Sequence, residues 1–260
     1  LTFRYTEANN IEARTSNDFN ARFLQGSEAF VSKNTNLSLN WTHQTSKLNN
    51  SLVVSLNTTR DDRDPLNDDN VRFPRVRIQD GAGRIEFGSE PFSTSNLLDQ
   101  DVFTITNNLE LYKGKHTLTI GTHNEFYSST NLFIRQNYGD YFYNSPEGFL
   151  NNDPSELDNM FRSYSLLTSS LGDDAIESAA VTDYAQIGFY LQDDYQVSTN
   201  FKVTAGLRFD IPIFSDRPTN TDFNTRTIPL LEAAGKDLQG AIVGESIDTQ
   251  VYFSPRFGFN

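Results

Sequence analysis

Five aspartates crowd one stretch of the chain, Asp61, Asp62, Asp64, Asp68 and Asp69, where Arg63 is the only opposing charge between Asp61 and Asn70. Carboxylate and amide oxygens at that density are what a hard cation such as calcium prefers. The spacing departs from an EF-hand loop, which has a central glycine and a terminal glutamate. Two readings stand side by side: a calcium site on these aspartates, or a solvated acidic loop tip. A second stretch, Phe133 to Pro154, interleaves Tyr138, Tyr141, Phe142, Tyr143 and Phe149 with Asn and Asp. Aromatic faces beside amides stack on a sugar ring or an apolar peptide side chain and hydrogen-bond its polar groups. These five rings are the candidate ligand contacts; the alternative is that they form the loop's own small core.

Catalytic chemistry finds little to work with. His43, His116 and His123 are the only imidazoles. His116 and His123 are an odd number of residues apart, so a regular strand puts them on opposite faces and they cannot share a metal. Cysteine is absent, which removes disulfides, thiolate metal sites and thiol nucleophiles together. No GxSxG elbow is present. The glycines at Gly81 and Gly83 read as a turn and not as a phosphate loop. The chain is therefore expected to bind and not to catalyse, with no cofactor beyond a calcium ion in an outer loop. A net charge of −13 argues against nucleic acid as a partner, because a phosphate backbone would be repelled.

The elements that position these stretches are strands. From Phe201 to Ile211, Phe201, Val203, Ala205, Leu207, Phe209 and Ile211 fall on one face, and Lys202, Thr204, Gly206, Arg208 and Asp210 on the other. Ala185, Ile187, Phe189 and Leu191 oppose Gln186, Gly188, Tyr190 and Gln192 in the same way. Strands this long and this two-sided match the roughly 9 to 11 residues that a tilted strand needs to cross a bilayer. The low apolar content, 37%, and high aromatic content, 13%, fit a barrel in which alternate residues alone meet lipid. No apolar run exceeds three residues, so neither a membrane-spanning helix nor a signal-peptide core is expected.

Eight strands are predicted, marked by Leu1 to Tyr5, Leu37 to His43, Leu52 to Leu56, Phe103 to Leu111, Leu118 to Phe126, Ala185 to Leu191, Phe201 to Ile211 and Val251 to Phe259. Their connections alternate long and short, with the long ones near 9–35, 61–100, 128–183 and 213–249. Short periplasmic turns and long extracellular loops alternate in this way in an antiparallel outer-membrane barrel. Glu156 to Leu167 and Ile228 to Ala234 read as short helical turns inside the loops.

The residues Tyr190 to Asp194 (YLQDD), Gly206 to Asp210 (GLRFD) and Ser254 to Asn260 (SPRFGFN) carry a resemblance to the barrels of TonB-dependent outer-membrane receptors, closest to the long-looped receptors of Bacteroidetes-type bacteria. The resemblance covers about the last 80 residues and implies an all-β, antiparallel transmembrane barrel of about 22 strands around a plug. Residues 1–260 would then be about a third of that barrel, with plug and remaining strands absent. It further implies residence in the outer membrane of a Gram-negative bacterium, surrounded by its lipid. Loops would capture an extracellular nutrient (an oligosaccharide, peptide or metal chelate), the TonB complex would act through the plug, and a surface lipoprotein is an expected partner. Three other readings remain open: a small eight-stranded barrel serving as adhesin or anchor, a hydrolase at a barrel rim, and a soluble all-β carbohydrate-binding module.

The facing can be tested directly. Leu207→Arg is expected to cost about 2–4 kcal/mol near the midplane and block membrane assembly, whereas Arg208→Leu should be far milder; folding yield into lipid vesicles reads the difference.

Overall fold

The structure is a computed structural model, and it describes residues 1–14, 21–22, 28–65, 73–161, 176, 178–215, 221–245 and 247–260. Eight long strands form one antiparallel sheet: β1 (Thr2–Arg14), β3 (Glu28–Gln44), β4 (Leu48–Pro65), β7 (Asn96–Lys113), β8 (His116–Phe133), β11 (Ala180–Ser198), β12 (Phe201–Phe214) and β13 (Tyr252–Phe259), neighbours in that order. Each lies beside the next of these eight in sequence, so the sheet is an up-and-down meander whose two edges are β1 and β13. A second, five-stranded sheet has the order β10 (Leu157–Phe161), β9 (Asp140–Tyr143), β5 (Arg75–Asp80), β6 (Gly83–Phe87) and β2 (Ala21–Arg22). Two short helices, α1 (Pro146–Leu150) and α2 (Ile228–Ala233), lie in the long connections. Among the described residues no helix is long and apolar enough to cross a membrane.

The eight predicted strands are the eight of the large sheet. Their lengths differ from expectation: β3 runs 17 residues, β4, β7 and β8 18 each, and β11 19. Asp61 to Pro65 therefore belongs to β4 and not to a loop, because β3 extends far enough to pair with all of it and β7 pairs with Asp61 and Asp62. The predicted helical turn at Glu156 is also corrected. Pro154–Glu156 is one 3-10 turn, Leu157–Phe161 is strand, and 162–167 lies outside the described residues. Ile228–Ala233 is helical as expected.

Register explains where the sheet meets lipid. One row of cross-strand neighbours, Tyr5, Leu37, Leu56, Phe103, Phe126, Ala185 and Ile213, is apolar in seven successive strands. The next row on the same face, Glu7, Thr35, Thr58, Asp101, Ser128 and Asp183, is polar in every strand it crosses. So sharp a switch marks the edge of the apolar band. From Phe103 to Leu111 the band spans about 27 Å along the strand at roughly 3.4 Å per residue, or about 20 Å of depth at a tilt near 40°. The far side of the band coincides with the short turns at Thr45–Lys47, Gly114–Lys115 and Thr199–Asn200. The surplus strand length consequently projects beyond the band on the side of the long connections. Side chains on the apolar face stand open to their surroundings, with Phe189 51% and Leu191 46% exposed, as expected when lipid and not a second sheet covers them.

Two pairs of polar residues inside the band satisfy their own hydrogen bonds. The side-chain amides of Asn50 and Asn107 donate to each other's Oδ1 at 3.2 Å. Each spends its second N–H on a backbone carbonyl, of Asn108 and Ser51 respectively. Thr122 Oγ1 donates to the Gly188 carbonyl at 2.8 Å and accepts from Asn124 Nδ2 at 2.9 Å. Hydrocarbon offers no partner, so amides at this depth must be paired within the protein. Asn50→Leu alone should therefore cost about 1–3 kcal/mol by stranding Asn107, while Asn50→Leu combined with Asn107→Leu should restore most of it; urea unfolding in lipid vesicles measures both.

Candidate functional site

Behind the apolar band the same strands carry a polar wall. Alternation turns Tyr184, Gln186, Gly188, Tyr190, Gln192 and Asp194 of β11 to this face, opposite Phe214, Pro212, Asp210, Arg208, Gly206 and Thr204 of β12. Arg208 donates from Nε and Nη2 to Asp210 Oδ1 at 3.0 and 2.8 Å, and Gln186 adds a third donor at 3.3 Å. The Arg208 guanidinium also lies 5.6 Å from the Tyr190 ring centre, and the Tyr190 hydroxyl donates to Asn108 Oδ1 two strands away. Gly121 is required beneath that ring, since a Cβ there would fall 2.2 Å from it. Thr106 and His123 share a hydrogen bond of 2.7 Å, and Tyr184 donates to Glu125 at 3.1 Å. A cleft of about 230 Å³ opens on the wall, lined by Tyr190, Gln192, Gly206, Arg208, Ser254 and Arg256. Because Arg208 holds Asp210, replacing it disturbs a paired carboxylate and is more than the loss of a solvent-facing charge.

The histidines divide as alternation requires. His116 lies on the face of Leu118 and Ile120, stacked 4.5 Å from Tyr195 and 2.7 Å from Asp193, while His123 lies on the polar wall.

At the projecting end, the five-stranded sheet caps the strands. Its pieces come from three separate connections: β2 from the first, the β5–β6 hairpin from the second, and β9 with β10 from the third. Parallel pairing of β5 with β9, and of β2 with β6, joins those connections through backbone hydrogen bonds. The segment before β7 seats the cap on the strands. Ser89, Ser93, Thr94 and Ser95 are all buried there. Ser93 Oγ lies 2.7 Å from Glu90 Oε2 and also donates to Glu28, the first residue of β3; Glu28 in turn sits 3.6 Å from Arg63. Asn137 donates to Ser95 Oγ at 2.9 Å, and the Ile134 amide to the Ser95 carbonyl. Gly88 has φ +96° and the Pro74 carbonyl would sit 1.9 Å from any Cβ, so no other residue fits that corner.

The cap sheet has two chemically different faces. Val76 and Ile78, among the most buried apolar residues described, lie on one face with Ile85, Phe87, Tyr141 and Tyr143. Of the candidate rings, Tyr143 and Phe149 meet edge-to-face at 5.3 Å, and Phe149 meets Phe87 at 5.7 Å, so these two are part of the cap's own packing. The ring of Tyr141 lies 3.2 Å from where a Cβ on Gly139 would stand. Tyr138 sits half-buried in the turn before β9. Phe142 alone of the strand's three rings falls on the opposite face, among charges.

That opposite face centres on Asp140, 1% exposed. Arg75 reaches it at 2.5 Å, Arg77 at 3.0 and 3.1 Å, and the Gln136 amide at 2.8 Å. Burial pushes the Asp140 carboxyl up, but the Arg75 hydrogen bond and charge, the Gln136 donor and the Arg77 charge outweigh it and hold the group below its ordinary value. Sequence reasoning missed this cluster and the β5–β6 hairpin with it. The signal was available: Val76 and Ile78 alternate toward Asp80-Gly81, and Ile85 and Phe87 alternate away from Gly83.

Only part of the acidic stretch lies among the described residues. Asp61 and Asp62 are consecutive in β4 and so lie on opposite faces. Asp64 is in the same strand, and Asp68 and Asp69 lie outside the described residues. Among the described residues no group of three or more His, Asp or Glu side chains is placed to hold a metal ion.

An antiparallel meander with a lipid-facing apolar band, a polar inner wall and a folded outer cap defines a transmembrane β-barrel protein of the outer membrane. The barrel is not closed by these strands alone. The family described as an outer membrane beta barrel domain matches residues 1–260, and the chain belongs to that family. No curated protein and no solved structure matches it. Its location is the outer membrane of a Gram-negative cell.

Asp140 supplies a pH test. Its contribution is complete above the unfolded carboxylate value near 3.9 and is lost as pH falls through the lower folded value. Asp140→Asn should cost toward the lower end of the roughly 3–5 kcal/mol of a broken buried pair, since Arg75 and Arg77 keep some access to water. Hydrogen exchange should show β5 and β9 opening while the apolar band of the large sheet stays protected.

Proposed function

We propose that this chain forms part of the barrel wall of a TonB-dependent outer-membrane receptor, and that its cap helps capture an extracellular nutrient, an oligosaccharide, peptide or metal chelate. The observation that carries the reading is the cap itself: three long connections are tied into one sheet instead of lying as separate loops. A scaffold so fixed presents ligand groups from several strands in constant relative positions. The polar wall behind the apolar band supports the same reading, since a wet interior suits a plugged or conducting lumen. On this reading the chain binds and admits without catalysing, the TonB complex acts through a plug, and a surface lipoprotein seats on the cap.

A complete small barrel serving as adhesin or anchor draws support from the eight-stranded count, since about eight strands suffice for closure. It requires β1 to pair with β13, which are here the two edges of the sheet. Uptake separates the two readings. Depletion of nutrients from medium should be compared among parent cells, cells lacking this gene and cells lacking TonB. A receptor predicts at least one compound whose depletion is lost in both mutants; depletion that never depends on both rejects the receptor and favours the small barrel.

A further inference from the structure

On the charged face of the cap, register brings Arg75 and Arg77 of β5, Arg84 and Glu86 of β6, and Asp140 and Phe142 of β9 together. Asp140 takes up Arg75 and Arg77, and Glu86 lies 3.7 Å from Arg75. Arg84 is different. Its guanidinium lies 5.0 Å from the Phe142 ring centre, and among the described residues it has no carboxylate partner and no hydrogen bond. Its Nε is enclosed without an acceptor, and the residue as a whole is half-buried. Arg77 lies 5.2 Å from the same ring centre, so two guanidinium groups share one aromatic ring.

Asp140 lies against Arg77, whereas among the described residues no carboxylate lies in ion-pair contact with Arg84, so the Arg84 charge is the one without a direct counter-ion. The Phe142 ring attracts both cations and holds the Arg84 guanidinium beside it, while no hydrogen bond among the described residues occupies the Arg84 N–H groups. A planar fork of this kind matches a carboxylate through two parallel hydrogen bonds. The setting strengthens the point: in a chain with net charge −13, the described side chains of this face include three arginines, Arg75, Arg77 and Arg84, and two acids, Glu86 and Asp140. We propose that Arg84, oriented by Phe142 and backed by Arg77, is a binding site for a carboxylate on the captured nutrient, carried either by an acidic sugar or by an acidic peptide. This rests on the receptor reading for its biological sense and on the cap geometry for its chemistry.

The test uses the full-length protein purified from outer membranes in detergent. Tetragalacturonate, its carboxyl-reduced neutral counterpart and tetraglutamate are titrated by calorimetry at low and high salt. At least one acidic probe should bind, more weakly at high salt, and the neutral sugar should not; whichever acid binds identifies the carboxylate's source. Arg84→Gln should lower that affinity at least tenfold, Arg84→Lys should recover only part of it because the fork is lost, and Phe142→Leu should weaken it several-fold. Hydrogen exchange of β5 and β9 must match the parent protein in each variant, and Arg84→Lys is decisive should Arg84→Gln loosen the cap. Failure of both acids to bind, equal binding of the neutral sugar, or full affinity in the arginine variants overturns the site. Those outcomes leave TonB-dependent depletion untouched, so the site and the receptor reading fail separately.

Discussion

The strands of the large sheet answer to one constraint: a backbone amide or carbonyl in hydrocarbon has no water to turn to, so each must find its partner on the next strand. Continuous ladders follow, and the registers of the large sheet run with little interruption along strands of 17 to 19 residues. Once the backbone is committed to that geometry, side chains fall alternately on two faces and the chain must write two surfaces in one sequence. The apolar row from Tyr5 to Ile213 and the polar wall around Arg208 are those two surfaces. The same rule decides how Asn50 and Asn107 are admitted on the lipid side, since their amides leave no donor unspent.

Beyond the band the constraint relaxes, and the architecture changes with it. Water can now satisfy exposed backbone, so short strands, helices and turns are allowed, and buried charge takes over part of the organisation. Asp140 is the clearest case, one carboxylate drawing Arg75, Arg77 and Gln136 onto a single point of the cap. The cap's apolar face is small, with Val76 and Ile78 at its centre, so polar groups and aromatic edges carry much of its definition.

What could be read from the residues follows the same division. The transmembrane strands were legible because period two is a local signal, repeated in Ala185 to Leu191 and Phe201 to Ile211 without help from distant contacts. Their true lengths were not legible. Past Thr58 the outward residues of β4, Arg60 and Asp62, are polar and lose the alternation that marks a lipid-facing strand, and only pairing with neighbours keeps them extended. The parallel join of β5 to β9 spans residues more than sixty apart in the chain and leaves no local trace. The candidate rings were found as a group, but which of them belong to packing was decided by the two faces of a sheet that the composition did not reveal. Arg84 escaped notice for a related reason: its meaning comes from Phe142, a neighbour by register and not by sequence.

The overshoot of the strands has a mechanical consequence. From Thr58 to Pro65, β4 rises about 23 Å along its axis at roughly 3.3 Å per residue before the cap begins. The cap therefore stands on a hydrogen-bonded collar and not on the headgroups. Thinning or thickening of the bilayer would slide along the lower rows of the wall and leave the geometry of the platform above it unstrained.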